Sequence, residues 1–112
     1  MNPEAIVGRQ LDAYNARDLQ RFLAEYSEDI RTYRPPAAEP ALVGIRPFGE
    51  FYAAQRFNRA GLHALLLNRM VLGRKVIDHE RISGVDEQPF EVAVVYEVVD
   101  GLIRCTWSFA AA

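Results

Sequence analysis

The sequence is poor in features that mark several protein classes. It has one cysteine, Cys105, among 112 residues, which excludes an internal disulfide and fits a reducing compartment. No apolar run approaches the roughly 20 residues that span a bilayer. There is no basic tract, and the formal net charge is −2, so nothing indicates nucleic-acid binding. The first residues lack the pattern of a secretory signal. We therefore expect a cytoplasmic protein without membrane or nucleic-acid partners.

Metal-ligand spacings are also lacking. The chain has no His-x-x-x-His motif and no paired cysteines. Asp78, His79 and Glu80 are consecutive, so on a strand they cannot all face one ion. His63 would have to join them from a neighbouring strand. We expect neither a metal nor a cofactor.

The periodicity divides the chain into a helical first half and a strand-rich second half, within one domain, 1–112. Helices are predicted at 3–15, from Asp18 to about Ser27, and at 46–58. Strands are predicted at 30–34, 62–72, 75–84, 89–99 and 102–109. The segment between Pro35 and Gly44 is expected to be a surface excursion. Short connections, such as the hairpin signal Asp100-Gly101, indicate sequential antiparallel pairing. This order predicts an α+β fold with helices on one face of a curved sheet.

The last two predicted strands are apolar on both faces, 92–99 more strongly than 102–109. An antiparallel sheet that helices cover on one side should instead alternate between apolar and polar residues. A short chain has little left to cover a second face except another copy of itself. We therefore predict a homodimer through the sheet. The face that carries Trp107 stays open.

Four ionisable residues interrupt the strand Lys75–Gly84. Alternation places Asp78 and Glu80 on one face, and His79 and Arg81 on the other. The acidic pair is interpreted as forming cross-strand ion pairs with Arg69, Lys75 or the partner subunit. His79 is either a structural residue or a proton-transfer group, since it titrates near neutral pH.

A further polar residue, Gln10, falls on the buried stripe of the first helix. A buried amide needs hydrogen-bond partners, either in the loop after Ser27 or on a ligand. The aromatic residues either fill the core or ring a cavity. They include Phe22, Tyr26, Tyr33, Phe51, Phe57, Tyr96 and Trp107.

Two segments, "AYNARDLQRFLAEYSEDIRTYRP" and "VGIRPFGEFY", resemble the SnoaL-like and ketosteroid-isomerase-like branch of the nuclear transport factor two-like superfamily. The resemblance covers nearly the whole chain. It implies a cone-shaped, curved, mixed sheet wrapped around three helices, with an apolar pocket and a dimer through the outer sheet face. It specifies function poorly, because this scaffold hosts many activities.

The chemistry of ketosteroid isomerases does not carry over. Matched from "NARDL", their helix tyrosine falls at Gln10, their base aspartate at Arg34 and their acid near Val94, so all three groups are absent. The same alignment turns His79 towards the cavity, as the implied catalytic residue. The implied substrate-binding residues are Gln10, Tyr14, Arg34, Phe51, Phe57 and Tyr96.

Three functional hypotheses follow. The first is an isomerase, cyclase or lyase for a small apolar carbonyl compound, in which His79 moves a proton while Gln10 and Arg34 hold the oxygen. The second is a module that binds an apolar ligand without chemistry. The third is a dimeric interaction domain with a packed cavity.

Overall fold

The computed structural model describes residues 2–111 and contains three helices and one six-stranded sheet. The helices are α1 (Pro3–Asn15), α2 (Leu19–Leu23) and α3 (Ile45–Gln55). The strands are β1 (Tyr26–Tyr33), β2 (Leu42–Val43), β3 (His63–Leu72), β4 (Lys75–Ser83), β5 (Phe90–Val99) and β6 (Leu102–Ala110). The predicted α+β class, with a curved mixed sheet, is confirmed.

Helix α1 begins and ends where the sequence predicts. The Asn2 side chain accepts hydrogen bonds from the backbone N–H groups of Glu4 and Ala5, and Pro3 occupies the first helical position. The helix contacts β3, β4, β5 and β6. Its buried residues are Ile6, Val7, Gln10, Ala13 and Tyr14.

Helix α2 is shorter than predicted. Asp18 caps it as expected, but the helix ends at Leu23 and β1 begins at Tyr26, ahead of the predicted start at Ile30. The reason is a distant partner: Tyr26 is aligned with Ile103 in the parallel pairing of β1 with β6. Helical periodicity cannot reveal a partner strand so far along the chain.

The sheet order is β2-β1-β6-β5-β4-β3. The antiparallel meander from β3 to β6 confirms the predicted sequential pairings. Asp100 and Gly101 both have positive φ, as a tight hairpin turn requires. The predicted surface excursion between Pro35 and Gly44 contains one element that was not predicted, because Leu42 and Val43 form β2 on the edge of β1. Two residues are too few for an alternation signal.

Two contacts fix the loops around β3. The Asn15 side chain donates to the Ala64 carbonyl (3.0 Å) and accepts from the Ala64 N–H (2.7 Å), which ties the end of α1 to the sheet. Gly84 has a φ of +83°, and a Cβ there would lie 2.2 Å from the carbonyl carbon of Gly61. The close approach of these two backbones therefore requires glycine at position 84.

The helices cover only one face of the sheet, which we call the concave face. The register places Val76, Asp78, Glu80 and Ile82 of β4 on it, and all four are buried. Trp107 lies on the opposite, convex face, stacked on Tyr33 with ring centroids 5.8 Å apart. Within residues 2–111, no helix is long and apolar enough to cross a membrane.

Candidate functional site

A cavity of about 510 Å³ lies between the helices and the concave face of the sheet. This volume falls within the range of roughly 300–1,000 Å³ that is typical of small-molecule sites. The walls are largely apolar, from side chains such as Leu11, Phe51, Val92 and Val94. The polar groups discussed below are Gln10, Tyr14, Tyr26, Arg34, Tyr52, Arg56, Glu80 and Tyr96.

Glu80 is the acidic residue of this cavity. It comes from the middle of β4, is only 4% exposed, and its Oε2 is buried without a hydrogen-bond partner within residues 2–111. Burial raises the pKa of the Glu80 carboxyl to about 7, the nearby Asp78 carboxylate adds to the rise, and the Arg69 guanidinium opposes it. Glu80 can therefore hold or release a proton near neutral pH.

Asp78 lies two positions earlier on the same face but has a partner. Arg69 of β3 donates to both Asp78 carboxylate oxygens, at 2.7 and 2.8 Å, and Asp78 is completely buried. This bidentate pair confirms the predicted cross-strand contact of Asp78 with Arg69. The expected pairing of Glu80 is wrong within this chain, since Lys75 binds Glu97 instead. Arg69 thus neutralises one carboxylate and leaves the other unpaired.

Gln10 connects two of the cavity tyrosines. The Tyr26 hydroxyl donates to Gln10 Oε1 (2.9 Å), and Gln10 Nε2 donates to the Tyr96 hydroxyl oxygen (3.2 Å). This network satisfies the buried amide, as the sequence requires. Because the Tyr96 oxygen accepts from Gln10, its own hydrogen stays available for a ligand or for Glu80.

Four tyrosines that line the cavity are close enough to Glu80 for its charge to affect their hydroxyls. Burial is the largest cause of the raised pKa of Tyr96, and the negative charge of Glu80 is the second. Burial likewise raises the pKa of Tyr14, Tyr26 and Tyr52, and in each case Glu80 adds to the rise. These hydroxyls therefore stay protonated and can act as hydrogen-bond donors at neutral pH.

Two arginines and Phe51 mark the open end of the cavity. Arg34 directly follows β1, and Arg56 directly follows α3. Their guanidinium carbons lie 5.1 and 5.3 Å from the centroid of the Phe51 ring, within cation–π distance. Arg34 is exposed to solvent whereas Glu80 is buried, so the arginines lie at the mouth and the carboxyl lies deep.

The prediction that His79 faces the cavity is wrong. His79 lies on the convex face, where its Nε2 is 2.6 Å from Glu91 Oε1 and its Nδ1 is 3.3 Å from Asn68 Nδ2. Alternation separated the two faces of β4 correctly, but the resemblance selected the wrong face as concave. The buried face is the one on which Val76 and Ile82 flank the acidic pair.

The other predicted site residues divide into two groups. The cavity is lined by Gln10, Tyr14, Arg34, Phe51 and Tyr96. Phe57 does not line it. Its ring packs behind the wall, with centroids 5.5 Å from Tyr14 and 5.1 Å from Phe22. The helix that was predicted to reach residue 58 ends at Gln55, so Phe57 lies beyond the helix.

The sequence reasoning missed Glu80, Tyr52 and Arg56 as cavity residues. A signal existed for Glu80, because apolar residues at both ends of its face indicate burial on that side. Tyr52 and Arg56 are four positions apart in sequence at the end of α3, a spacing that places them on one side of a helix. Within residues 2–111, no three His, Cys, Asp or Glu side chains are grouped so that they could hold a metal ion.

Comparison with known structures supports the fold. A "putative ketosteroid isomerase" from Kribbella flavida is 21% identical, with a TM-score of 0.83 over 98% of this chain and 78% of that one. An LEH-like epoxide hydrolase from M. tuberculosis is 18% identical, with a TM-score of 0.82 over 97% of this chain and 82% of that one. An uncharacterized cystatin fold protein from Novosphingobium aromaticivorans is 18% identical, with a TM-score of 0.85 over 96% and 97% of the two chains.

Identities this low show a shared fold and leave the activity open. No functionally curated protein matches the sequence. The family model of the SnoaL-like domain matches residues 7–106, which includes most of α1, the whole of α2 and α3, and most of the sheet. The chain therefore belongs to the SnoaL-like domain family.

Proposed function

We propose that the protein is an enzyme that moves a proton on a small, mainly apolar carbonyl compound, with Glu80 as the acid and base. One observation supports this most strongly: a buried carboxyl with an unpartnered oxygen and a pKa of about 7 lies in the cavity. A base is most effective when its pKa is near the working pH. This proposal assigns to Glu80 the role that the sequence suggested for His79.

The chemistry is enolisation. Ionised Glu80 takes a proton from the carbon next to the carbonyl, and the electron pair of the broken C–H bond becomes the enolate. The negative charge then lies on the carbonyl oxygen, where the hydroxyl hydrogens of Tyr96 and Tyr14 can stabilise it. Glu80 returns the proton to the same or another carbon, so a net isomerisation needs no other reactant.

The surroundings suit this step. Phe51, Val92 and Val94 provide an apolar wall, and an apolar substrate that displaces water beside it would strengthen the electrostatic interactions inside. Arg69 pairs with Asp78 and leaves Glu80 without an ion-pair partner, and the Asp78 charge adds to the raised pKa of Glu80. The structurally similar protein from Kribbella flavida is named as an isomerase, which agrees with the proposal.

Deuterium exchange tests the proposal without knowledge of the natural substrate. The protein is incubated in D₂O with 4-phenyl-2-butanone, 1-tetralone and a steroid enone, and mass spectrometry follows deuterium at the α-carbon. Wild type should accelerate exchange, and Glu80→Gln should lose on the order of 100-fold or more of that rate. His79→Gln on the convex face is the matched control and should keep the full rate.

Two results would contradict the proposal. If His79→Gln abolishes exchange and Glu80→Gln retains it, proton transfer belongs to the convex face. If a ketone binds in the cavity but wild type does not accelerate its exchange, the protein is a binding module.

We also propose that two copies pair through the convex face, in the cytosol. Val95 and Trp107 are aligned on neighbouring strands of that face, and Phe109 beside them is 43% exposed. If the convex face contacted only water, its side chains would be expected to be polar. Wild type should behave as a dimer in sedimentation at micromolar concentration, whereas Val95→Arg should be monomeric. A monomeric wild type would refute the pairing.

A further inference from the structure

The arginines at the cavity mouth are free to bind an anion. Within residues 2–111, the ion pairs of the protein involve other residues, and neither Arg34 nor Arg56 has an acidic partner. Arg56 donates one N–H to the backbone carbonyl of Gln55, at 3.0 Å. Their common neighbour is the Phe51 ring.

The ring contact leaves the binding edge of each guanidinium available. A cation–π contact needs no hydrogen-bond acceptor on the ring, so the N–H groups of a guanidinium beside Phe51 can still bind an anion. Phe51 therefore positions both cations beside the opening without occupying their N–H donors.

The positive charge acts inside the cavity as well as outside it. Burial raises the pKa of Tyr52, but Arg56 and Arg34 both oppose that rise, so both guanidiniums act on a hydroxyl of the cavity wall. Glu80 is the one acidic residue among the described cavity residues, and it lies deep. The mouth is therefore electropositive, and the interior combines apolar side chains with neutral hydroxyl groups around a single carboxyl.

We propose that the cavity takes an apolar compound that carries a carboxylate at one end, and that Arg34 and Arg56 hold this carboxylate at the mouth. A carboxylate is planar and presents two oxygens, which matches the fork of N–H donors on arginine. The apolar body then extends inward along Phe51 towards Glu80. The inference rests on the proposed function, because it names the substrate class for the same site.

A matched pair of ligands isolates the carboxylate. 3-Benzoylpropionate has an aromatic ketone, an enolisable carbon and a carboxylate, and its methyl ester differs only by the missing charge. Calorimetry at pH 8 should give an affinity for the acid that exceeds that for the ester by about 10-fold or more, since charge-assisted hydrogen bonds to two arginines are lost with the ester. The difference should shrink as salt is added.

Variants then locate the binding groups. The double variant Arg34→Gln/Arg56→Gln should bind the acid about 10-fold or more weakly and the ester as wild type does. Arg74→Gln is the control, because Arg74 is exposed in the turn between β3 and β4 and does not line the cavity. Equal affinity of wild type for acid and ester would overturn the proposal. So would binding of neither compound at millimolar concentration, or equal weakening of both by the double variant.

Deuterium exchange into the acid and the ester separates this inference from the proposed chemistry. If the chemistry fails and the inference holds, wild type prefers the acid over the ester but exchanges no deuterium. If the inference fails and the chemistry holds, the ester exchanges as fast as the acid, and the double variant leaves both rates unchanged.

Discussion

Replacing Glu80 with glutamine should make the protein more stable at high pH and leave it nearly unchanged at low pH. Glutamine has the shape of the glutamic acid side chain and stays neutral. In the wild type, the folded-state pKa of about 7 lies above the ordinary value of 4.5. Folding therefore favours the protonated form of this carboxyl. The resulting stabilisation is complete below the pKa of the unfolded state, and it is lost as the pH rises through the pKa of the folded state.

The size of the effect follows from the two pKa values. The rise from 4.5 to about 7 corresponds to about 3 kcal/mol, because each tenfold change in proton affinity is worth about 1.4 kcal/mol. Well below pH 4.5 the carboxyl is neutral in both the folded and the unfolded state, so its ionisation does not lower the free energy of unfolding. Above pH 7 the buried charge costs the folded state the full amount.

Urea denaturation at pH 5 and at pH 8.5 measures this directly, at one fixed protein concentration. The stability of Glu80→Gln relative to wild type should increase by about 2.5 kcal/mol between the two conditions, mostly between pH 5 and pH 7, because each pH unit between the two pKa values is worth about 1.4 kcal/mol. Packing differences between the side chains cancel in this comparison. Glu87→Gln, in the exposed loop before β5, is the control and should give a flat difference. A change of less than about 1 kcal/mol for Glu80→Gln would refute the assignment of a buried, neutralisable carboxyl.

Two further predictions concern the framework of the site. Gly84→Ala should lower the free energy of unfolding by about 3 kcal/mol or more, because its Cβ would overlap the Gly61 backbone, whereas Gly73→Ala, with positive φ but open space, should cost about 1 kcal/mol. Equal losses in thermal denaturation would exclude the close approach as the cause. Arg69→Met should cost about 3–5 kcal/mol at pH 7, because it leaves Asp78 buried and unpaired. A smaller loss in urea denaturation would mean that water or another cation reaches Asp78.

The elements that follow from local patterns were predictable. The cap at Asn2, the turn at Asp100 and the alternation of β4 are encoded by neighbouring residues, and the structure has all three. The family resemblance predicted the curved sheet and the cavity. The end of α2 and the existence of β2 depend on strands that pair across long sequence distances, so local periodicity does not contain them.

The site was predicted only in part, for a physical reason. Alternation assigns side chains to two faces but does not say which face the helices cover. The sequence analysis therefore assigned His79, and not Glu80, to the cavity. The neighbours Val76 and Ile82 are buried on the same face as Glu80, and their apolar character indicates which face is covered. The pairing of Arg69 with Asp78 was predictable as a cross-strand contact, but the isolation of Glu80 depends on which carboxylate the arginine reaches.

The parallel pairing of β1 with β6 has a consequence for how the chain folds. Thr32 of β1 contacts Thr106 of β6 through their hydroxyls, and these residues are separated by 74 positions. Closing so long a loop costs conformational entropy before any contact between the two strands stabilises it. This pairing should therefore form later than the local hairpins of β3 to β6. Because Thr32, Thr106 and the nearby Arg34 line the cavity, we expect the cavity to close late in folding, after β4 has paired with its neighbours.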